Sequence, residues 1–197
     1  RFEGDGYSDE WKEEAMRRGL TNISHVPEAI MRFNDSQSRE VLIGENIFNE
    51  NELICRIEVE LEKFTKKVQI ESRVLGDLAI NHIVPTAVIY QNRLLENLRG
   101  LRETFSQVEY EMLGADRREL VKEIQFRILE IKQLVREMTE ARRISNRLTS
   151  QVEKAYSYEE KVRPYMEQIR EHIDHLELEI DDEIWPLPKY RELLFTK

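Results

Sequence analysis

His172 and His175 stand one helical turn apart with Glu171 and Asp174 beside them, so two imidazoles could share a face in the manner of metal ligands. A zinc site needs a third ligand, which the local sequence does not supply. Both histidines flank the apolar positions Ile173 and Leu176, which points to a solvated or interfacial role. Gly4-Asp5-Gly6-Tyr7-Ser8 places glycines just before a helix start, where backbone N–H groups and the helix dipole favour an anion. The stretch lacks the lysine and spacing of a Walker loop and the third glycine of a dinucleotide fingerprint, so it reads as a tight turn feeding a helix.

Arg73, Asp77 and Asn81 are successive i, i+4 neighbours and form a polar stripe suited to an interhelical hydrogen-bond network or to another domain. His82 falls in line with Leu75 and Leu78 and is expected as a hydrogen-bonded core residue. Asp181-Asp182-Glu183 puts three acids at the negative end of a helix dipole, where they need basic company. Lys189 and Arg191 are the near candidates. Nothing resembles a nucleophile elbow, a Cys/His pair or a matched acid and base set. No residue is therefore assigned a catalytic, cofactor-binding or metal-ligating role.

These residues must be positioned by helices. The chain has 197 residues, 35% of them charged against an average of about 25%, with seven glycines and five prolines. That is the composition of long helices. The balance of 39 acidic against 30 basic residues argues against nucleic acid or an anionic membrane as partner. One cysteine, Cys55, excludes an internal disulfide framework and a thiolate zinc site and suggests the reducing cytosol. No stretch approaches the ~20 apolar residues of a membrane helix. The opening Arg1-Phe2-Glu3 reads as a cut end of something longer.

Residues 1–48 read as a short-helix connector. Ser8 caps a first helix that Gly19 stops, Pro27 opens a second, and Asn34 to Ser38 is a turn or linker. Residues 49–180 read as a bundle of long helices, at about 50–84, 86–112, 116–156 and 158–180. The carrying pattern is Leu53, Ile57, Leu61, Phe64, Val68, Leu75, Leu78 and Ile89 in the first stretch, with Leu94, Leu98, Leu101 and Phe105 beyond it. Pro85 should kink or break the chain near 81–86. Asp116 is expected to cap the run Leu120, Ile124, Ile128, Ile131, Val135 and Met138. Val162, Met166, Ile169, Ile173, Leu176 and Ile180 alternate spacings of four and three. The expected fold is all-α, an elongated antiparallel bundle with short N-terminal helices and a docked C-terminal tail at 181–197.

Three blocks of sequence carry a resemblance. They are Phe2-Glu3-Gly4-Asp5-Gly6-Tyr7-Ser8-Asp9-Glu10-Trp11 with Arg18-Gly19-Leu20, then Ile70-Glu71 through Asn81-His82-Ile83-Val84-Pro85, and the tail from Asp181-Asp182-Glu183-Ile184-Trp185-Pro186 to Phe195. In this order they resemble type III glutamine synthetases, the tail matching that family's carboxyl end. The resemblance implies a parent enzyme, a glutamate–ammonia ligase that uses ATP and Mg2+ and assembles from hexameric rings into a dodecamer. It implies that the ligands of metal, ATP and glutamate belong to a catalytic barrel upstream of residues 1–48. This segment would then be structural, assembly-forming or regulatory, with the catalytic domain of its own parent chain as partner. The alternative is an unrelated coiled-coil adaptor. An autonomous enzyme using the opening loop and His82 is a third reading.

Overall fold

The computed structural model describes residues 4–189, 192 and 194. Among these the regular structure is helical, without a strand, so the chain is an all-α bundle. Two compact units emerge, residues 1–66 with 149–159, and residues 67–148 with 160–197.

In the first unit, helix α1 (Asp9–Arg17) begins where Ser8 accepts the N–H of Trp11, with Asp9 and Glu10 in its positive first turn. It stops at Gly19. There φ is +71°, Leu20 N–H donates to the Ala15 carbonyl at 2.8 Å and Gly19 N–H to Met16 at 3.0 Å. That is a Schellman cap, and glycine supplies the left-handed residue without a Cβ penalty. Helix α2 (Val26–Met31) holds Pro27 in its first turn and runs into a 3₁₀ turn, Arg32–Asn34.

Helix α3 (Ser36–Gly44) begins inside the stretch Asn34 to Ser38 read from sequence as a turn or linker. Asp35, extended at ψ 154°, is the break, and the helix starts directly after it. The same cap closes α3, with Asn46 at φ 56° in glycine's place and Ile47 N–H donating to Leu42 at 3.0 Å.

Helix α4 (Glu50–Leu78) opens on a reciprocal cap, because Glu52 N–H donates to Asn49 Oδ1 at 3.0 Å and Asn49 N–H to Glu52 Oε2 at 2.8 Å. Leu53, Ile57 and Leu61 are buried together with Ala155 of helix α8 (Gln151–Ser157). Ile30, Met31, Leu42, Ile43, Phe48, Phe64 and Val152 close around them.

The second unit holds α4 from Lys67 onward, then a π turn at Ala79–Ile83, α5 (Val84–Thr104), α6 (Gln107–Leu113), α7 (Ala115–Asn146) and α9 (Arg163–Glu179). The disturbance expected from Pro85 takes the form of that π turn. Pro85 itself sits in the first turn of α5, where its missing N–H costs no ladder bond. Pro164 repeats the device, following a π turn at Tyr158–Val162.

The expected helix 86–112 is instead two helices. Phe105 is extended, and Ser106 with Glu109 forms a full capping box that starts α6. The expected helix 116–156 is also two. α7 starts one residue earlier, with Gly114 in the cap position and Asp116 in its first turn, and stops at Asn146. Ser150 then accepts Glu153 N–H to begin α8.

Gly114 lies in a crowded place, since a Cβ there would stand 3.0 Å from the Tyr110 carbonyl and 3.1 Å from Leu98 Cδ2, and those neighbours would have to give way. α5 and α7 run antiparallel, as Gln91 donating to the Val121 carbonyl and the Leu98–Gly114 approach require. α7 packs in turn on α9. The buried residues include Ile124, Ile128, Ile131, Leu134 and Met138 of α7 and Ile169, Ile173 and Leu176 of α9.

After Ile180 the chain leaves the helix and buries Trp185 at 9% exposure. Lys189 stands 5.8 Å over its ring, donating to Asp182 at 2.5 Å and to the Glu177 carbonyl at 2.7 Å. Of the three acids expected to need basic company, Asp182 has Lys189 and Asp181 has Arg93 at 3.3 Å. Leu194, within the tail expected to dock, is 62% exposed. Tyr190, Arg191, Leu193 and Phe195 lie outside the described residues.

Candidate functional site

Each residue singled out for chemistry has a definite environment. In the opening loop, Asp5 Oδ1 accepts Tyr7 N–H at 3.0 Å, and Ser8 Oγ donates to the Asp5 carbonyl at 2.8 Å while capping α1. Tyr7 N–H and the Ser8 hydroxyl are thus engaged by Asp5 itself. Asp5, Asp9 and Glu10 add negative charge at this helix start, which disfavours an anion.

Arg73, Asp77 and Asn81 form a stripe on the solvent side of α4 and the π turn, Asn81 donating to Asp77 Oδ1 at 2.6 Å. His82 is exposed, which corrects its expected place in the core. Five residues occupy the turn at 79–83, so the face beyond Leu78 is rotated and Ile83 and Ala87 are buried while His82 points out. The interhelical polar contacts lie elsewhere. Gln69 donates to Asn146 Oδ1 at 3.1 Å, and Arg142 reaches Ser72 Oγ at 3.4 Å.

His172 and His175 diverge. His175 is exposed, whereas His172 is half-buried between α7 and α9, edge-on to Phe126 with ring centroids 6.0 Å apart. Arg127 Nη1 approaches its Nδ1 at 3.0 Å. A guanidinium only donates, so Nδ1 must accept and the proton of the neutral ring sits on Nε2. Burial first, and the Arg127 charge second, push the imidazole below its ordinary 6.5. Arg127 is itself held by Glu123, at 2.6 Å. This chain of three was invisible to local spacing, since it joins residues 45 apart.

His25, before α2, places Nδ1 2.9 Å from Oε1 of Glu159, whose side chain is only 5% exposed. Both of these groups are pairs or relays. Among the described residues no three His, Cys, Asp or Glu side chains converge on a point where an ion could sit. Also among the described residues, no helix is long and apolar enough to cross a membrane.

The polar groups singled out thus pair within helices and, at a few points, between them, around an apolar core. A family model described as the glutamine synthetase C-terminal domain matches residues 1–102, over half of the chain. The chain belongs to the glutamine synthetase C-terminal domain family. The helical bundle of this glutamine synthetase domain also resembles curated relatives end to end. It is 73% identical over 197 residues to a glutamine synthetase of Bacteroides fragilis. It is 30% identical over its whole length to a type-3 glutamine synthetase of Dictyostelium discoideum. A Butyrivibrio fibrisolvens glutamine synthetase is 31% identical over 49% of the chain. In the first two relatives the chain spans 27% of their length. Membership in this family does not favour the unrelated coiled-coil adaptor.

Proposed function

We propose that this chain is the C-terminal helical region of a type III glutamine synthetase. The parent joins glutamate and ammonia at the expense of ATP with Mg2+, in the cytoplasm, as a homo-oligomer of hexameric rings paired into a dodecamer. The region is not catalytic. It is an assembly or bracing element whose partner is the catalytic domain of its own chain. The observation that carries this reading is the match, over the whole of this chain at 30% identity, to a relative named as type-3.

Two measurements test it. The full-length protein should form glutamine from glutamate, ammonia and MgATP. The 197-residue chain alone should form none and hydrolyse no ATP. Glutamine formation by the short chain would sink the non-catalytic assignment. In the full-length protein, substitution of Glu123, Arg127 or His172 should leave turnover per intact oligomer within about twofold. A loss of about a hundredfold at constant mass in sedimentation would move those residues into the chemistry.

A further inference from the structure

The first unit carries a cavity of about 300 Å3 between α2, the 3₁₀ turn and α4. Leu53 and Ile57 form its buried floor, and Ile30, Phe33 and Phe48 its walls. Phe33 is 54% exposed although it stands beside this apolar hollow. Arg56 lies at the rim with its guanidinium 5.4 Å from the centre of the Phe48 ring. Among the described residues that ring is its only partner, since Glu60, one turn further on, is paired with Lys63 at 2.7 Å. A guanidinium with one face on an aromatic ring and its five N–H donors uncommitted to any carboxylate is a prepared anion contact. Aromatic rings around a pocket with an arginine beside it are the composition of an interface hot spot.

We infer that this hollow receives an apolar side chain flanked by a carboxylate, presented by the catalytic part of the same polypeptide. The inference rests on the reading of the chain as one region of a longer enzyme. Relatives at full coverage are almost four times as long as this chain, which spans 27% of them. A covalently joined segment also meets the hollow at a high effective concentration. The apolar group fills the space over Leu53 and Phe33, and the carboxylate takes the fork of Arg56.

The test uses the full-length protein carrying Phe33→Cys. Alkylation at position 33 is timed by peptide mass spectrometry against native Cys55, which is exposed. The introduced thiol should react at least about tenfold more slowly than Cys55. Adding Arg56→Glu should bring it to the Cys55 rate, and adding Arg56→Lys should not. Equal rates at 33 and 55 in the single variant overturn the proposal. So does protection that survives Arg56→Glu, because the carboxylate is then not what binds. Protection lost on dilution to monomers also overturns it, since a neighbouring subunit is then the source.

Should Phe33→Cys fail to fold, phenylglyoxal modification of the wild type gives the same reading. Arg56 should react more slowly than the exposed Arg73, and equal rates overturn the proposal. A Phe33→Cys protein whose introduced thiol is protected but which lacks glutamine synthetase activity refutes the functional reading and leaves this surface standing.

Discussion

Arg127 on α7 donates from Nη1 to Nδ1 of His172 on α9 across 3.0 Å, and the ring it meets is held neutral. Protonating His172 would set two cations against each other in a half-buried seam. Its folded value is lowered, so between 6.5 and that lower value the unfolded chain binds more protons than the folded one. The stability it contributes is complete above 6.5 and is lost as pH falls through the lowered value. The wild-type melting temperature should therefore drop on going from about pH 7 to about pH 5 by more than that of His172→Gln. Parallel curves for the two proteins would show that His172 does not titrate in this window.

Ile173, next in sequence, faces the core at 8% exposure. Ile173→Asp should cost roughly 3–5 kcal/mol by burying an unpaired charge, enough to unfold the bundle. His172→Ala should cost about 1 kcal/mol, since Arg127 keeps Glu123. Chemical denaturation of the two variants checks the contrast. Equal small losses would mean that α9 turns another face inward.

Two glycines should respond oppositely to the same change. At Gly76, within α4, a Cβ would meet Met138 Cε and Val135 Cγ1 at 3.5 Å, an ordinary contact. Gly76→Ala should stabilise by about 0.5–1 kcal/mol through helix propensity. Gly114→Ala drives a methyl to 3.0 Å from the Tyr110 carbonyl and should destabilise by about 1–3 kcal/mol. A melt in which both variants shift the same way would contradict this placing of α7.

Removal of the Trp185 side chain should be felt along the tail. Trp185→Ala gives up a buried indole and the Lys189 contact over it, for roughly 3–5 kcal/mol. Deletion of residues 184–197 should lower the melting temperature similarly. Unchanged melting in both would show that the tail adds nothing to this unit.

Much of the bundle was legible because apolar spacing records burial directly. Of the six residues named from their alternation, Val162, Ile169, Ile173, Leu176 and Ile180 are buried and Met166 is half-buried. Helix ends without glycine or proline were harder. The stop at Asn146 has no breaker before Ser150, and Ser106-Gln107-Val108-Glu109 held a capping box inside an otherwise continuous pattern. Ile89, aligned with Leu78 on an ideal helix, is 52% exposed, since the π turn rotates the residues after it by about 100°. The Arg127–His172 contact depends on how two helices pass each other, which residue spacing along one helix does not encode.

The paired π turns set the helical phase of everything after them. Each stores one residue more than an α-helix of the same length needs, with one residue between it and a proline in the first turn of the helix that follows. Deleting one residue from 79–83 would therefore leave α5 no shorter but turned by about a quarter of a revolution, with Ala87 facing water and a different row of side chains facing α7. Alignment gaps in this family should fall at these two places less often than in the loops that join the helices, because there a lost residue changes direction and not merely length.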